Sequence, residues 1–206
     1  MERLTQQLLV GGEAAIAGVR GLGGLGKTEL AIAVVQAIKG RFRGGVIWLE
    51  CGPLDVLVVQ GRLAQALGVE LKTNDLAGRA DVLRLALRAR KETLVVLDDV
   101  RLGQLTQIKY LLPPRPPCAV LVTSRRDDLV GLPPQSIMQL KELPDVEGEN
   151  LLAALLADAN VSGDAKLVQA IARELENIPL ALELAAGRAA RLARTRPDPL
   201  PRCWMT

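Results

Sequence analysis

Apolar residues along this chain follow two rhythms, and the change between them divides it. Up to about residue 140, short unbroken apolar runs alternate with stretches of helical period. Beyond that point only helical periods remain. Ala14–Val19, Val46–Leu49, Thr93–Leu97 and Cys118–Val122 have the length of strands buried on both faces, and Ser136–Leu140 is a fifth candidate. After the first run, Leu30, Val34, Ala37 and Ile38 fall at i, i+4, i+7 and i+8, one face of a helix. Helical segments are also predicted at about 55–67, 76–91 and 103–112. In the second of these, Leu76, Ala80, Leu83 and Leu87 form the stripe, and Pro113-Pro114 stops the third. Residues 1–12 read as a helix end followed by Gly11-Gly12, and Gly40 to Gly45 as a basic loop. The pattern changes near 141–144. Helices follow at about 146–158, 164–176 and 179–194, with Val168, Ile171 and Leu175 on one face of the middle one. Thr195 to Thr206, with three prolines, reads as a loose tail.

Alternating strands and helices predict a parallel sheet covered on both faces. The expected architecture is a three-layer α/β/α domain over 1–142, a small all-helical subdomain over 143–195 and a tail over 196–206. Ligands of such sheets bind beyond the carboxyl ends of the strands. Three polar clusters fall at such ends here: Gly21–Thr28, Asp98-Asp99 and Thr123–Arg126.

The first cluster is Gly21-Leu22-Gly23-Gly24-Leu25-Gly26-Lys27-Thr28, which fits the phosphate-binding P-loop G-x-x-x-x-G-K-[ST]. Glycines let consecutive N–H groups point inward at an anion, and the following helix adds its positive end. Lys27 brings a mobile charge to the β- and γ-phosphates, and Thr28 offers a hydroxyl to Mg²⁺. A strand before the loop and a helix after it are the context this chemistry needs. A glycine-rich turn in another α/β fold is the plainer alternative.

Asp98 and Asp99 follow four apolar residues, the form of a Walker B segment. One carboxylate can orient the shell of Mg²⁺, and the next can position or polarise the attacking water. A helix-capping pair is the competing reading. Arg125, at the end of the fourth strand, can read a γ-phosphate and so tell triphosphate from diphosphate. Arg126 is an equal candidate, and a surface pair with Asp127 or Asp128 is the alternative for both. Pro179 after Asn177-Ile178 suits a helix start. Arg188, Arg191 and Arg194 make a basic stripe that reads as a solvated face, and Trp48 reads as core.

Composition removes several chemistries. Histidine is absent, which excludes His-based acid–base catalysis, Ser-His-Asp triads and His-ligated zinc. Cys51, Cys118 and Cys203 have no metal-ligand spacing, and an odd count argues against a disulfide framework; they are expected to be reduced cytosolic thiols. Aromatics are 2% of the chain, so base-stacking platforms have almost no material, and a net charge of +3 does not by itself call for nucleic acid or membrane. No apolar stretch reaches the length of a membrane span and no signal peptide is visible.

Taken together, Gly21–Ala31, Leu94–Val100, Leu121–Arg125 and Ile178-Pro179-Leu180-Ala181-Leu182 closely resemble the NB-ARC family of signal-transduction ATPases (STAND), nearest its bacterial branch. The resemblance covers about 14–190. It implies a switch held closed by ADP and opened by exchange for ATP, with Mg²⁺ as the accompanying ion. It implies that Gly21, Gly23, Gly24, Leu25, Gly26, Lys27, Thr28 and Glu29 surround the phosphates. Thr28 and Asp98 would serve the metal, and Lys27, Asp98, Asp99 and Arg125 the chemistry. Arg125 would be the sensor arginine and Pro179 would pack on adenine. The family's Gly-Arg-Glu segment and its winged-helix domain with a histidine motif are not found, and Asn177 stands where the family often has Gly. The chain thus reads as the nucleotide-binding domain plus its first helical lid, cut at both ends.

The leading expectation is a cytoplasmic ADP/ATP switch module of a larger regulatory protein, hydrolysing ATP slowly if at all. Its sensor repeats and effector lie elsewhere, and nucleotide-dependent self-association is open to it. An ordinary turnover ATPase or kinase is the second reading. A degenerate fragment acting only as an interaction domain is the third.

Overall fold

The computed structural model describes residues 1–10, 12–18, 23–90, 92–126, 129, 132–161 and 163–194. The chain forms two compact units, Met1–Gly23 with Lys27–Leu140, and Gly24–Gly26 with Lys141 onward. The predicted tail lies outside the described residues.

The first unit runs α1 (Glu2–Leu9), β1 (Glu13–Gly18), α2 (Lys27–Ile38), β2 (Val46–Glu50), α3 (Val56–Leu67), α4 (Leu76–Arg90), β3 (Leu94–Val100), α5 (Leu102–Leu105), β4 (Ala119–Ser124) and β5 (Ile137–Leu140). Its five strands form one sheet in the order β2-β3-β4-β1-β5, every pair parallel. Burial shows why the strands read as unbroken apolar runs. Successive side chains point to opposite faces, and both faces are covered. Ala15, Val95, Leu97, Val120 and Val122 face α3 and α4 residues such as Val59, Leu63, Leu83 and Leu87. Ala14, Ile16, Leu94, Val96 and Leu121 face Leu4 and Leu8 of α1 and Ala31, Val34 and Ile38 of α2.

Local chemistry sets the helix limits. Asp55 caps α3 by accepting from Leu57 N at 2.8 Å, and Gly68 ends it in the left-handed conformation. Two expectations are corrected. The inward face of α2 is Ala31, Val34, Val35 and Ile38, at i, i+3, i+4 and i+7, with Leu30 packed at its margin and Ala37 exposed. The segment 103–112 is not one helix but α5 followed by a 3₁₀ turn at Ile108–Tyr110. Its buried residues, Gln104, Leu105, Ile108, Leu111 and Leu112, keep a helical spacing, but Tyr110 N–H donates to the Gln107 carbonyl at 2.9 Å and Leu111 N–H to the Ile108 carbonyl at 2.8 Å, the three-residue bonds of a 3₁₀ turn.

The second unit carries α6 (Asp145–Asp158), α7 (Ala165–Glu174) and α8 (Pro179–Ala193) around their own apolar cluster of Leu152, Leu156, Val168, Ile171, Leu182 and Ala186. Asn177 joins α7 to α8 with φ +54°, which explains why glycine suits this position. Its Nδ2 donates to Asp145 Oδ1 at 2.9 Å, and its side chain lies against Gly148, where a Cβ would sit 2.3 Å from Asn177 Oδ1. No helix among the described residues is long and apolar enough to cross a membrane.

Candidate functional site

The polar residues of the first unit gather at the carboxyl end of its sheet. β3 carries Asp98 out of a buried run, and the carboxylate is itself buried. Thr28 at the start of α2 donates its hydroxyl to Asp98 Oδ1 at 3.0 Å and lies 3.2 Å from Oδ2. Thr123 at the end of β4 donates to Asp98 Oδ1 at 2.5 Å. Two hydroxyls therefore replace the water that a buried carboxylate would otherwise demand. The main chain beneath is tied as well: Cys51 N–H donates to the Asp98 carbonyl at 2.8 Å.

Asp99 obeys a different rule. Leu97 pairs with Val122 and Val100 with Ser124, so β3 takes three steps where β4 takes two. The extra residue makes a bulge, a device that re-aims side chains beside functional sites. Asp99 sits in it at φ +55°, a left-handed conformation that costs an L-residue about 1–2 kcal/mol. Its N–H donates to Thr123 Oγ1 at 2.9 Å, so the one hydroxyl serves both aspartates. Its carboxylate meets two guanidiniums. Arg101 donates to Oδ2 from Nε at 3.1 Å and from Nη2 at 2.8 Å, while Arg125 Nε stands 3.4 Å from Oδ1. Arg101 and Arg125 are about half exposed, so each pair contributes only ~0–1 kcal/mol of stability, and its effect is on geometry.

Arg125 Nη1 lies 3.9 Å from where a Cβ on Gly23 would stand, which puts the guanidinium beside the loop that leads into Lys27. Partial burial, then the nearby Arg125 charge, lowers the Lys27 pKa from its ordinary value. Asp99 and Asp98 pull the other way. An anion would offset that depression, because its opposite charge favours the protonated ammonium. The sulfur nearest the site is inert: burial, followed by Asp98 and Asp99, pushes the Cys51 thiol up to about 12.

The structure thus brings Lys27, Thr28, Asp98, Asp99 and Arg125 together within one unit. Gly21 lies outside the described residues. Leu25 is buried, so only its main chain can meet a ligand, and Glu29 is exposed. Gly24 and Gly26 hold φ +82° and +84°, which only glycine adopts readily. They group with the second unit, where Leu180 N–H donates to the Gly24 carbonyl at 3.2 Å and a Cβ on Gly24 would come within 2.6 Å of Leu180 Cβ. Pro179 is the first residue of α8. Arg126 is engaged through its N–H, 3.2 Å from Ser124 Oγ. Arg188, Arg191 and Arg194 are all exposed.

Sequence reasoning gave no role to Thr123 or Arg101. Thr123 was visible as the polar residue closing an apolar run. Arg101 gave no signal, because its contact depends on the bulge.

One carboxylate and one hydroxyl side by side, Asp98 and Thr28, suit Mg²⁺, which keeps several waters and takes few protein ligands. No group of three or more acidic or Cys side chains able to hold a metal alone occurs among the described residues.

A parallel sheet in this order, with a glycine loop leading into α2 and an acidic strand end two strands away, defines a P-loop NTPase. Residues 1–162 match the NB-ARC domain family, and the chain belongs to it. It is 28% identical over 183 residues to the regulatory protein AfsR of Streptomyces coelicolor, covering 85% of this chain and 18% of that protein. With AfsR of Streptomyces griseus the identity is 29% over 187 residues, covering 87% and 19%. The chain therefore spans about a fifth of the curated relatives it matches. Among solved structures, Cdc6p of Pyrobaculum aerophilum superposes with a TM-score of 0.65 at 16% identity, covering 96% of this chain and 62% of that one. A signal transduction ATPase with numerous domains (STAND) and a tetratricopeptide repeat sensor, from Pyrococcus horikoshii, gives 0.57 at 19%, covering 88% and 28%. At such identities these two likenesses concern the fold.

Proposed function

We propose that this chain is an ADP/ATP-binding switch module of a larger regulatory protein, with slow Mg²⁺-dependent hydrolysis of ATP. The observation that carries the reading is the convergence of Lys27, Thr28, Asp98, Asp99 and Arg125 at one end of the sheet, with the Lys27 ammonium held below its ordinary pKa. Residues 1–142 are the nucleotide-binding domain and 143–195 its helical lid.

In this reading Gly23–Gly26 offer main-chain N–H groups to phosphate oxygens, and Glu29 closes the first turn of α2. Lys27 gains a counter-charge on binding and keeps its proton. Thr28 and Asp98 are the residues that would hold Mg²⁺, which supplies charge neutralisation at the phosphates. Asp99 orients or polarises a water, and Thr123 holds both aspartates in place. Arg125 exchanges its contact with Asp99 for a terminal phosphate, which distinguishes ATP from ADP. Pro179 meets the adenine from the lid. Sensor and effector domains of the larger protein are the expected partners, nucleotide-dependent self-association the expected response, and the cytoplasm the expected compartment.

Calorimetry with ADP and ATP tests this. Lys27→Ala should weaken binding roughly 10- to 100-fold, the loss of a charge-assisted hydrogen bond of about 1.5–3 kcal/mol. Unchanged ADP affinity in that variant removes Lys27 from the site. Absence of ADP binding by the natural chain leaves the interaction-domain reading. Steady hydrolysis above about one per second favours a turnover enzyme.

A further inference from the structure

We propose that Arg101 is a positioning residue: by fixing Asp99 it sets how freely Arg125 can turn to a terminal phosphate, an inference that rests on the nucleotide-switch reading. Asp99 lies in a bulge at φ +55°, so strand pairing does not dictate where its carboxylate points. Side chains do. Arg101 occupies Oδ2 with two donors, at 3.1 and 2.8 Å, and leaves Oδ1 to the looser 3.4 Å contact of Arg125. Arg101 is itself anchored. Its N–H donates to Gln104 Oε1 at 2.8 Å, and the buried Gln104 donates from Nε2 to the Leu54 carbonyl at 2.7 Å. A connected series of contacts thus runs from the segment after β2, through Gln104 and Arg101, to Asp99, and ends at Arg125.

Asp99 and a phosphate compete for Arg125. While Arg101 holds Oδ2, Asp99 can offer Arg125 only one oxygen. Without Arg101 both oxygens are open, and a two-bond guanidinium–carboxylate pair becomes available. That pair withholds Arg125 from the phosphate. Arg101 therefore favours triphosphate recognition without touching nucleotide.

The test is the ratio of ATP to ADP affinity, measured by calorimetry on the full 206-residue chain and four variants. Arg101→Ala should lower the ratio about fivefold, within the range of coupled neighbours, and leave ADP affinity unchanged. Arg101→Lys should restore part of it, because charge returns without the planar fork. In an Asp99→Asn background, Arg101→Ala should do nothing further to the ratio. An unchanged ratio in Arg101→Ala overturns the inference. So does an equal loss of ATP and ADP affinity, which is what a merely structural role produces. A drop that persists in the Asp99→Asn background also overturns it, since Arg101 would then act by another route. If the natural chain binds neither nucleotide, the switch reading falls and this inference with it; binding with an unchanged ratio sinks the inference alone.

Discussion

Leu94–Leu97 and Asp98–Val100 are consecutive stretches of β3. The first pairs in unbroken register with β2 and β4 and buries every side chain; the second skips a residue against β4 and carries two carboxylates. The apolar stretch spends its side chains on two cores and leaves nothing to meet a ligand. In the polar stretch regular pairing is given up, a left-handed residue is accepted, and hydroxyls from α2 and β4 are recruited. The difference teaches that stability and chemistry are separated along one strand by a single residue step. Substitutions on either side should therefore fail in different assays.

The largest effect is expected at Leu97. Truncation to Ala removes a fully buried side chain from the apolar cluster that includes α3 and α4 residues and should cost about 2–5 kcal/mol in denaturant unfolding. A cost near zero would mean that the apolar half of β3 is not the structural half. Lys27→Ala is the counterpart. The 10- to 100-fold loss of nucleotide affinity proposed above should come with a change in unfolding free energy within about 0.5 kcal/mol, as for substitutions away from the core. Equal losses in both assays would erase the separation.

The second unit provides a control remote from β3 in sequence. Gly148→Ala drives a Cβ into the Asn177 side chain and should destabilise the helical unit by about 1–3 kcal/mol, seen as earlier loss of helical signal on heating. An unshifted transition would show that Asn177 yields easily. The smallest effect is a slope. The folded protein holds the Cys51 thiol up at about 12 against an ordinary 9.0. The folded state therefore keeps a proton that the unfolded chain releases. Its contribution is whole below pH 9 and is lost as the pH rises through about 12, at no more than ~1.4 kcal/mol per pH unit. Cys51→Ala should flatten that alkaline limb in pH-dependent unfolding, and an unaltered limb would assign it to other groups.

Much of the architecture could be read from the chain because both faces of the sheet are covered. A strand buried on two sides must be apolar throughout, and Leu94–Leu97 and Ala119–Val122 advertise this without ambiguity. The helical unit was legible for the opposite reason: Val168 and Ile171 share one buried stripe of α7. Ala is a poor marker of side, which is how Ala37 took the place of Ala31 on α2. The break after α5 was hidden because periods of 3.0 and 3.6 differ little over one turn. Among the polar residues, the sequence pattern singled out Lys27, Thr28, Asp98, Asp99 and Arg125, which the fold brings together. The bulge that separates Asp99 from Asp98 was not legible, since register is a property of two strands. Arg101 follows from that bulge and was invisible with it.

Gln104 uses both ends of one side-chain amide, the oxygen for Arg101 and the nitrogen for Leu54. An acid of the same shape could satisfy the first neighbour but would turn a lone pair toward the second. The tether joining two neighbouring strand exits therefore depends on a group that is donor and acceptor at once, and a change of one atom at Gln104, with no charge altered at Asp99 or Arg125, would let the two exits drift apart.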